Sequence, residues 1–408
     1  MSPLPLAPYR VLDLSGRLGW LCGKILVDLG ADVIKVEPPV GDPDRRAAPL
    51  LESADGSQAL GVDWLAFNAG KRSVVLDLES EPGRHRLLDL VRRADFLIES
   101  FAPGHLARLG LGWPALHGLR PSLVMTSITP YGQSGPDAAA PASDLEIMAA
   151  GGAIWLAGDP DRPPVRVTLP QAASWTGAYA AMGTLIAHHH RCLAGRGQLV
   201  DVSAQAAILP MLVQAPMFWS MMGQQPFRSG PFLIGRNVNG AELRNIWPCR
   251  DGYVSFALYG GAAGRQSNRE LAAWMAQAGA LPESLEGFDW DSFEPATAPA
   301  DLVRELQEAI APFLASLRKS DFLAGCVERR MLGYTVATAV EIADDAQLRA
   351  REVWQDVYDP ILGRSLRYPT GWARFDGEVN RLQRPAPALG DHTGEVLGEL
   401  GLAEPQPA

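Results

Sequence analysis

Strand and helix alternate through the first hundred residues, and this alternation restricts the fold more than any other feature of the chain. Residues 10–14 (RVLDL) form a short apolar strand ended by Ser15 and Gly16. From Leu18 to Gly30 apolar residues recur at helical spacing, and Gly30 suits a helix C-terminus. The second strand is ADVIKVE at 31–37, closed by Pro38 and Pro39; the third is SVVLDL at 73–78. A charged helix from 79 to 93 separates it from a fourth strand at 95–99 (DFLIE). Strands that are apolar on both faces and linked by helices pair in parallel under helical cover. The expected class is α/β. Ligands of such sheets bind beyond the carboxyl ends of the strands.

A second constraint lies in residues 169–205. The helical run 176–191 carries Gly177, Ala178, Ala180, Ala181, Gly183 and Ala187, so it must pass close to another backbone. The turn AGRGQ at 194–198 then needs a positive φ at one or both glycines before the strand LVDVS at 199–203. Residues 172–175 (AASW), just ahead of the helix, are placed to line a site. His188, His189 and His190 resemble a metal cluster, but consecutive helical residues point about 100° apart and do not converge.

Composition narrows the function classes. Of the 408 residues 47% are hydrophobic and 20% charged, the balance of a soluble globular protein with room for more than one domain. A net charge of -10 argues against nucleic acid or an anionic membrane as partner, though a local basic pocket stays possible. Cys22, Cys192, Cys249 and Cys326 show no metal spacing, so no metal is expected. The N-terminal residues lack a secretory pattern and no apolar run reaches membrane length, so the expected location is cytoplasmic.

The loops beside the strands contain neither G-x-G-x-x-G nor G-x-x-x-x-G-K-[ST]. They hold scattered cations instead: Arg17, Lys35, Lys71, Arg72 and Arg108. Such a set suits a phosphorylated nucleotide gripped by several separate elements. Taken singly, each reads more readily as a solvated loop charge.

In order along the chain, VLDLS, DLGADVIKVEPPVGDP, FNAGKRSVVLDL, ADFLIESFAPGHLARLGLGW, PSLVMTSITPYGQSGP, SDLEIMAAGG, GRGQLVDVSAQAA and PAPALGDHTGEVLGELGL resemble the family III CoA-transferases. These are the relatives of formyl-CoA transferase, carnitine CoA-transferase and α-methylacyl-CoA racemase. The resemblance implies a large Rossmann-like domain with a parallel sheet, built from both chain ends, a smaller α+β domain, and an interlocked dimer. Residues 212–330 change character, with WPCRDGY at 247–253 reading as strand, turn and strand, and with amphipathic helices at 302–318 and 320–332. The expected division is therefore 1–211, 212–330 and 331–408, the last carrying a short helix from Gly394 to Leu402. By the same resemblance Lys35, Glu37 and Asp42 belong to the CoA-contacting loop after strand two. Lys71 and Arg72 then lie near the phosphates, ESFAPGHLARLG supplies Ser100, Phe101, Arg108 and Leu109, with Phe101 facing the adenine, and Arg17 completes the set. Phe101 offers an aromatic face and each arginine a fork for phosphate oxygens; plain core packing is the alternative for Phe101.

The chemistry departs from the family pattern. Its members use an aspartate that attacks the acyl-CoA and passes through a mixed anhydride to an enzyme–CoA thioester. That aspartate stands in a pattern like A-D-x-x-T-G, which here reads Ala172-Ala173-Ser174-Trp175-Thr176-Gly177. Ala173 occupies its position, and no Asp or Glu lies between Asp161 and Asp201. A glutamate that some members carry is also missing from the loop Pro130-Tyr131-Gly132-Gln133. Ser174 has no evident base beside it. Asp144 and Glu146 can reach the site or can serve a helix N-terminus. Tyr259 to Gly264 reads either as a loop closing over the site or as a strand-to-helix turn.

Three readings follow. The first is a subunit of a CoA-transferase acting on a CoA ester and a carboxylate, without its own nucleophile, in a heterodimer or heterotetramer with a homologous Asp-bearing chain. The segment WMAQAGALPESLEGFDW has the look of the benzylsuccinate branch, which pairs two such chains. The second is a self-sufficient acyl-CoA isomerase or racemase, a homodimer, with Asp144 as one member of an acid–base pair. The third is a non-catalytic CoA-binding protein.

Overall fold

A computed structural model describes residues 4–233 and 235–401. Its organising element is a six-stranded, wholly parallel sheet. We label the strands β1 (Arg10–Leu14), β2 (Asp32–Glu37), β3 (Arg72–Val75), β4 (Phe96–Glu99), β5 (Val124–Thr129) and β6 (Leu199–Ser203). They lie in the order β3-β2-β1-β4-β5-β6, so the direction of winding reverses between β1 and β4. Five of the six match the expected positions closely. The strand β5 had no forecast, because Thr126 and Ser127 interrupt its apolar run; both are buried. Thr126 Oγ1 is satisfied by Thr184 Oγ1 at 2.6 Å.

Successive residues serve opposite faces, as strand geometry requires. Val11, Val33, Phe96 and Val124 pack beneath α1 (Trp20–Asp28). Leu12, Ile34, Leu97 and Met125 pack against a second layer. Three more helices bear on the site: α2 (Val62–Asn68), α3 (Glu81–Val91), which supplies Leu87, Leu90 and Val91 to that second layer, and α4 (Asp144–Ala150). Finally α5 (Ala172–Ala194) lies on the same face as α1. A Cβ at Gly177 would stand 2.8 Å from the Leu21 Cβ, which explains the small-residue run: α5 touches α1 almost backbone to backbone. Gly195 ends α5 at φ +70°, the left-handed turn expected there. The C-terminal helix, Thr393–Glu399, sets Val396 into the second layer and buries Leu397; Leu402 lies outside the described residues.

The chain divides into two compact units. One takes the chain through Ile154, Val167–Gln224 and everything from Ala346. The other takes Trp155–Arg166 and Gln225–Asp345, a different division from 212–330. Arg228 accounts for the added segment: its guanidinium donates to the carbonyls of Asp159 (3.3 Å), Arg162 (3.1 Å) and Trp155 (3.4 Å). Within this unit an antiparallel hairpin, Ile246–Cys249 with Gly252–Phe256, pairs with Gly333–Thr335 and packs on helices Ala300–Ser316 and Lys319–Arg329. It is α+β. Tyr259 and Gly260 lead into helix Gly261–Gln277, whose first turn is Gly261 to Gly264.

Candidate active site

A cleft of about 410 Å³ opens where the sheet reverses its winding, beyond the carboxyl ends of β1 to β4. This is the position at which doubly wound sheets hold their ligands. Ser15 and Gly16 form one part of it after β1, Lys35 and Asp42 another around β2, Asp77 and Glu79 a third after β3. Ser100, Phe101 and His105 complete it after β4. The Gly16 amide donates to Ser100 Oγ at 2.8 Å, tying together the two loops that flank the reversal. The Phe101 ring stacks on His105 at 4.6 Å and 25°.

A buried charge network holds these loops. Lys35 Nζ donates to the Ser15 carbonyl and lies 3.2 Å from Asp42. Asp42 also accepts from the Trp20 indole at 3.2 Å. Arg45 grips Glu37 with two bonds of 2.6 and 2.7 Å, and Ser73 Oγ donates to the same carboxylate. Deeper still, the fully buried Asp13 accepts from Lys71 Nζ at 2.7 Å and from Ser15 Oγ at 2.6 Å. Burial pushes the Asp13 carboxyl up, but the Lys71 and Lys35 ammonium groups outweigh it and hold the group below the ordinary aspartate range. Glu37 follows the same pattern, with Arg45 overcoming burial. Glu99 goes the other way: burial raises it, and the Ser127 hydroxyl and Phe101 amide offset that only in part.

The expected site residues separate into three groups. Lys35, Ser100 and Phe101 line the cleft. Arg108 is exposed at 63%, near Glu79 and against His105, while Leu109 packs into the apolar layer under the sheet. Lys71 and Arg72 stand elsewhere. All three donors of Lys71 are taken, by Asp13, by the Trp20 carbonyl (3.1 Å) and by Asn68 Oδ1 (2.9 Å), leaving none for a phosphate. Arg72, which opens β3, is consumed by Asp32, Glu395 (2.9 Å) and Glu399 (2.6 Å). The loop before β3 enters the sheet rather than leaving it: Arg72 falls beside Asp32 at the start of β2, while the Lys71 ammonium is buried on Asp13, beneath the cleft rather than in it. Asp77, Glu79 and His105 had no place among the expected site residues, although their positions right after β3 and β4 are where the ligand rule points.

The position of Ala173 is separate from the cleft and close to the start of α1. Ala173 and Ser174, in the first turn of α5, line a small cavity of about 160 Å³ together with Arg17, Leu21, Asp63 and Phe67. Arg17 and Asp63 form an ion pair there. Asp144 Oδ1 accepts from the amides of Gln171 and Ala172, both at 2.7 Å, and so serves the N-terminus of α5. Glu146 closes a capping box with Ser143. Among the histidines, His188 packs edge-on against Tyr9 at 4.6 Å and bonds Arg191, a structural setting.

The model of CoA-transferase family III matches residues 6–393. The chain is 36% identical over 401 residues to succinyl-CoA:(R)-benzylsuccinate CoA-transferase subunit BbsE of Thauera aromatica, covering 96% of this chain and 93% of that protein. It is 32% identical over 407 residues to succinyl-CoA–D-citramalate CoA-transferase of Chloroflexus aurantiacus, covering 98% and 96%. Among solved structures, a CAIB/BAIF family protein from Brucella suis superposes with a TM-score of 0.81 at 28% identity, over 98% of this chain and all of that one. With the reversal-point cleft and an end-to-end match in hand, the chain belongs to CoA-transferase family III.

Proposed function

We propose that this chain is one subunit of a CoA-transferase that exchanges CoA between an acyl-CoA thioester and a carboxylic acid, and that a homologous chain supplies the attacking carboxylate. The carrying observation is Ala173. A methyl group cannot form an acyl anhydride, and the one carboxylate lining its cavity, Asp63, is held by Arg17. Covalent transfer needs a free nucleophile at that point. The name of the Thauera relative, a subunit of a succinyl-CoA-dependent transferase, agrees with this reading.

In the proposed complex the cleft takes the nucleoside end of CoA. Phe101 offers the aromatic face, and Asp77 and Glu79 accept from sugar hydroxyls. Arg108 at the rim meets the phosphates, while Lys35 holds the Ser15 backbone and Asp42 in place beneath the ligand. Lys71 and Arg72 serve the scaffold. The thioester end extends toward Ala173, where the partner's carboxylate acts. A need for a partner also fits the helix Gln214–Met222, on which Met217, Trp219, Met221 and Met222 are all exposed. The isomerase reading has less support, because Asp144 Oδ1 already accepts from two amides at the α5 terminus.

The test is a CoA-transfer assay on the purified chain alone and after co-expression with an Asp-bearing homologue. The expected result is no transfer alone and transfer from the pair. Robust transfer by the lone chain would overturn the proposal, and exchange of an acyl-CoA α-proton with deuterated water would favour the isomerase.

A further inference from the structure

One row of polar side chains crosses the carboxyl edge of the sheet, and none of its three members lines the cleft. Glu99 ends β4, Ser127 stands opposite it on β5, and Asp201 stands opposite Ser127 on β6. Residues in such register present their side chains on one face of the sheet. Both carboxyl oxygens of Glu99 are used: Oε2 accepts from the Phe101 amide at 2.8 Å, and Oε1 accepts from the Ser127 hydroxyl. Ser127 Oγ in turn accepts from Gln133 Nε2 at 2.7 Å, and the Gln133 amide donates to Asp201 at 3.1 Å.

Glu99 and Ser127 are buried. A carboxyl group is a costly way to fill a strand position, and the neighbouring Ile98 fills its own with an apolar side chain. What the carboxyl adds is a hold with one arm on each of two loops. The first arm reaches the loop after β4, which carries Phe101 into the cleft. The second reaches the loop after β5 through Ser127 and Gln133. That loop is seated on the start of helix Ala204–Ile208, where the Gln205 amide donates to the Pro130 carbonyl at 3.0 Å. Ala204 of the same helix shares an apolar cluster with Ala172, next to residue 173.

We propose that Glu99 is a positioning residue of the transfer reaction, which sets the nucleotide loop at Phe101 and the loop at Gln133 in one fixed relation. This rests on the CoA-transferase reading, since transfer is what requires the nucleotide end and the end at residue 173 to be held together. The two arms can be cut separately. Aspartate is one methylene shorter and cannot reach both partners. Glutamine keeps one oxygen for the Phe101 amide while its nitrogen turns to Ser127 Oγ. Ser127→Ala removes only the arm to Gln133.

The experiment uses the full chain purified with its Asp-bearing homologue. It measures CoA affinity by calorimetry, CoA transfer from succinyl-, acetyl- and benzoyl-CoA, and amide exchange with and without CoA. We expect Glu99→Asp to weaken CoA binding about tenfold, the size of one hydrogen bond to a charged group, and Glu99→Gln to restore most of that loss. Ser127→Ala should lower kcat on the best donor about tenfold while the Kd for CoA moves less than about twofold. CoA should slow exchange of the amides of residues 131–133 in the wild type and not in Ser127→Ala. An unchanged kcat in Ser127→Ala, a loss of CoA affinity there as large as in Glu99→Asp, or lower melting temperatures with no kinetic change in any variant would overturn the proposal. If Glu99→Asp does not fold, the Ser127→Ala split and the exchange pattern decide. A wild-type pair that binds CoA and transfers it from none of the donors would sink the CoA-transferase reading, with the affinity and exchange results still deciding whether Glu99 holds the two loops.

Discussion

The loops that leave the strands of one sheet and the loop that enters β3 make opposite use of the same residue types. At the carboxyl edge Lys35 sits beneath an open cleft, with Phe101 in its lining and Arg108 exposed beside Glu79 and His105. Around the loop that leads into β3, Lys71 and Arg72 are just as cationic, yet all three Lys71 donors and all three Arg72 guanidinium nitrogens are engaged inside the protein. The difference comes from chain direction. A loop that leaves a parallel strand opens at the ligand edge, whereas a loop that enters one is folded into the sheet's supports. A basic residue near a strand therefore carries functional meaning only once its side of the strand is known.

Substitutions on the two sides should separate cleanly. The largest expected effect is Lys71→Ala, which strands the Asp13 carboxylate in the core and should cost about 3–5 kcal/mol of unfolding free energy. Denaturant titration measures it; a near-neutral result would mean that Lys71 is not the scaffold element described. Next, Phe101→Ala should weaken CoA binding by about 1 kcal/mol, seen by calorimetry, while the melting temperature moves little. Asp144→Ala removes the acceptor for two α5 amides and should cost about 1 kcal/mol of stability without altering α-proton chemistry. Arg108→Ala is the mildest for stability, within about 0.5 kcal/mol, because the side chain is exposed. Its effect should appear as a loss of CoA affinity that shrinks as salt rises.

A pH profile sharpens the same contrast. Asp13 and Glu37 have depressed folded values, so their contribution is present above the unfolded carboxylate range and lost as pH falls through the folded value. Glu99 has a raised folded value. Its contribution is complete below the unfolded range and is lost as pH rises through the folded value. Glu99→Gln should flatten stability on the alkaline side of the ordinary glutamate range and leave the acid limb in place, as thermal melts across pH would show.

Strands β1, β2, β3, β4 and β6 were legible because each is a short apolar run with helix or turn signals on both sides. The tightness of α5 was legible from its glycines and alanines. Strand β5 was hidden by Thr126, whose partner Thr184 is 58 residues away. The same kind of tertiary pairing hid the roles of Lys71, Arg72 and Asp144, since Asp13, Glu399 and the α5 amides are remote or unmarked in sequence. Residues 155–166 gave no sign that Arg228 would draw them into the second unit.

The central claim is that this chain shapes the site while another chain attacks the thioester. Intact-mass analysis of the paired subunits, quenched during turnover with an acyl-CoA, tests it most directly. The account predicts a covalent CoA adduct on the Asp-bearing partner and none on this chain. An adduct on this chain, at Asp63 beside Ala173 above all, would contradict it.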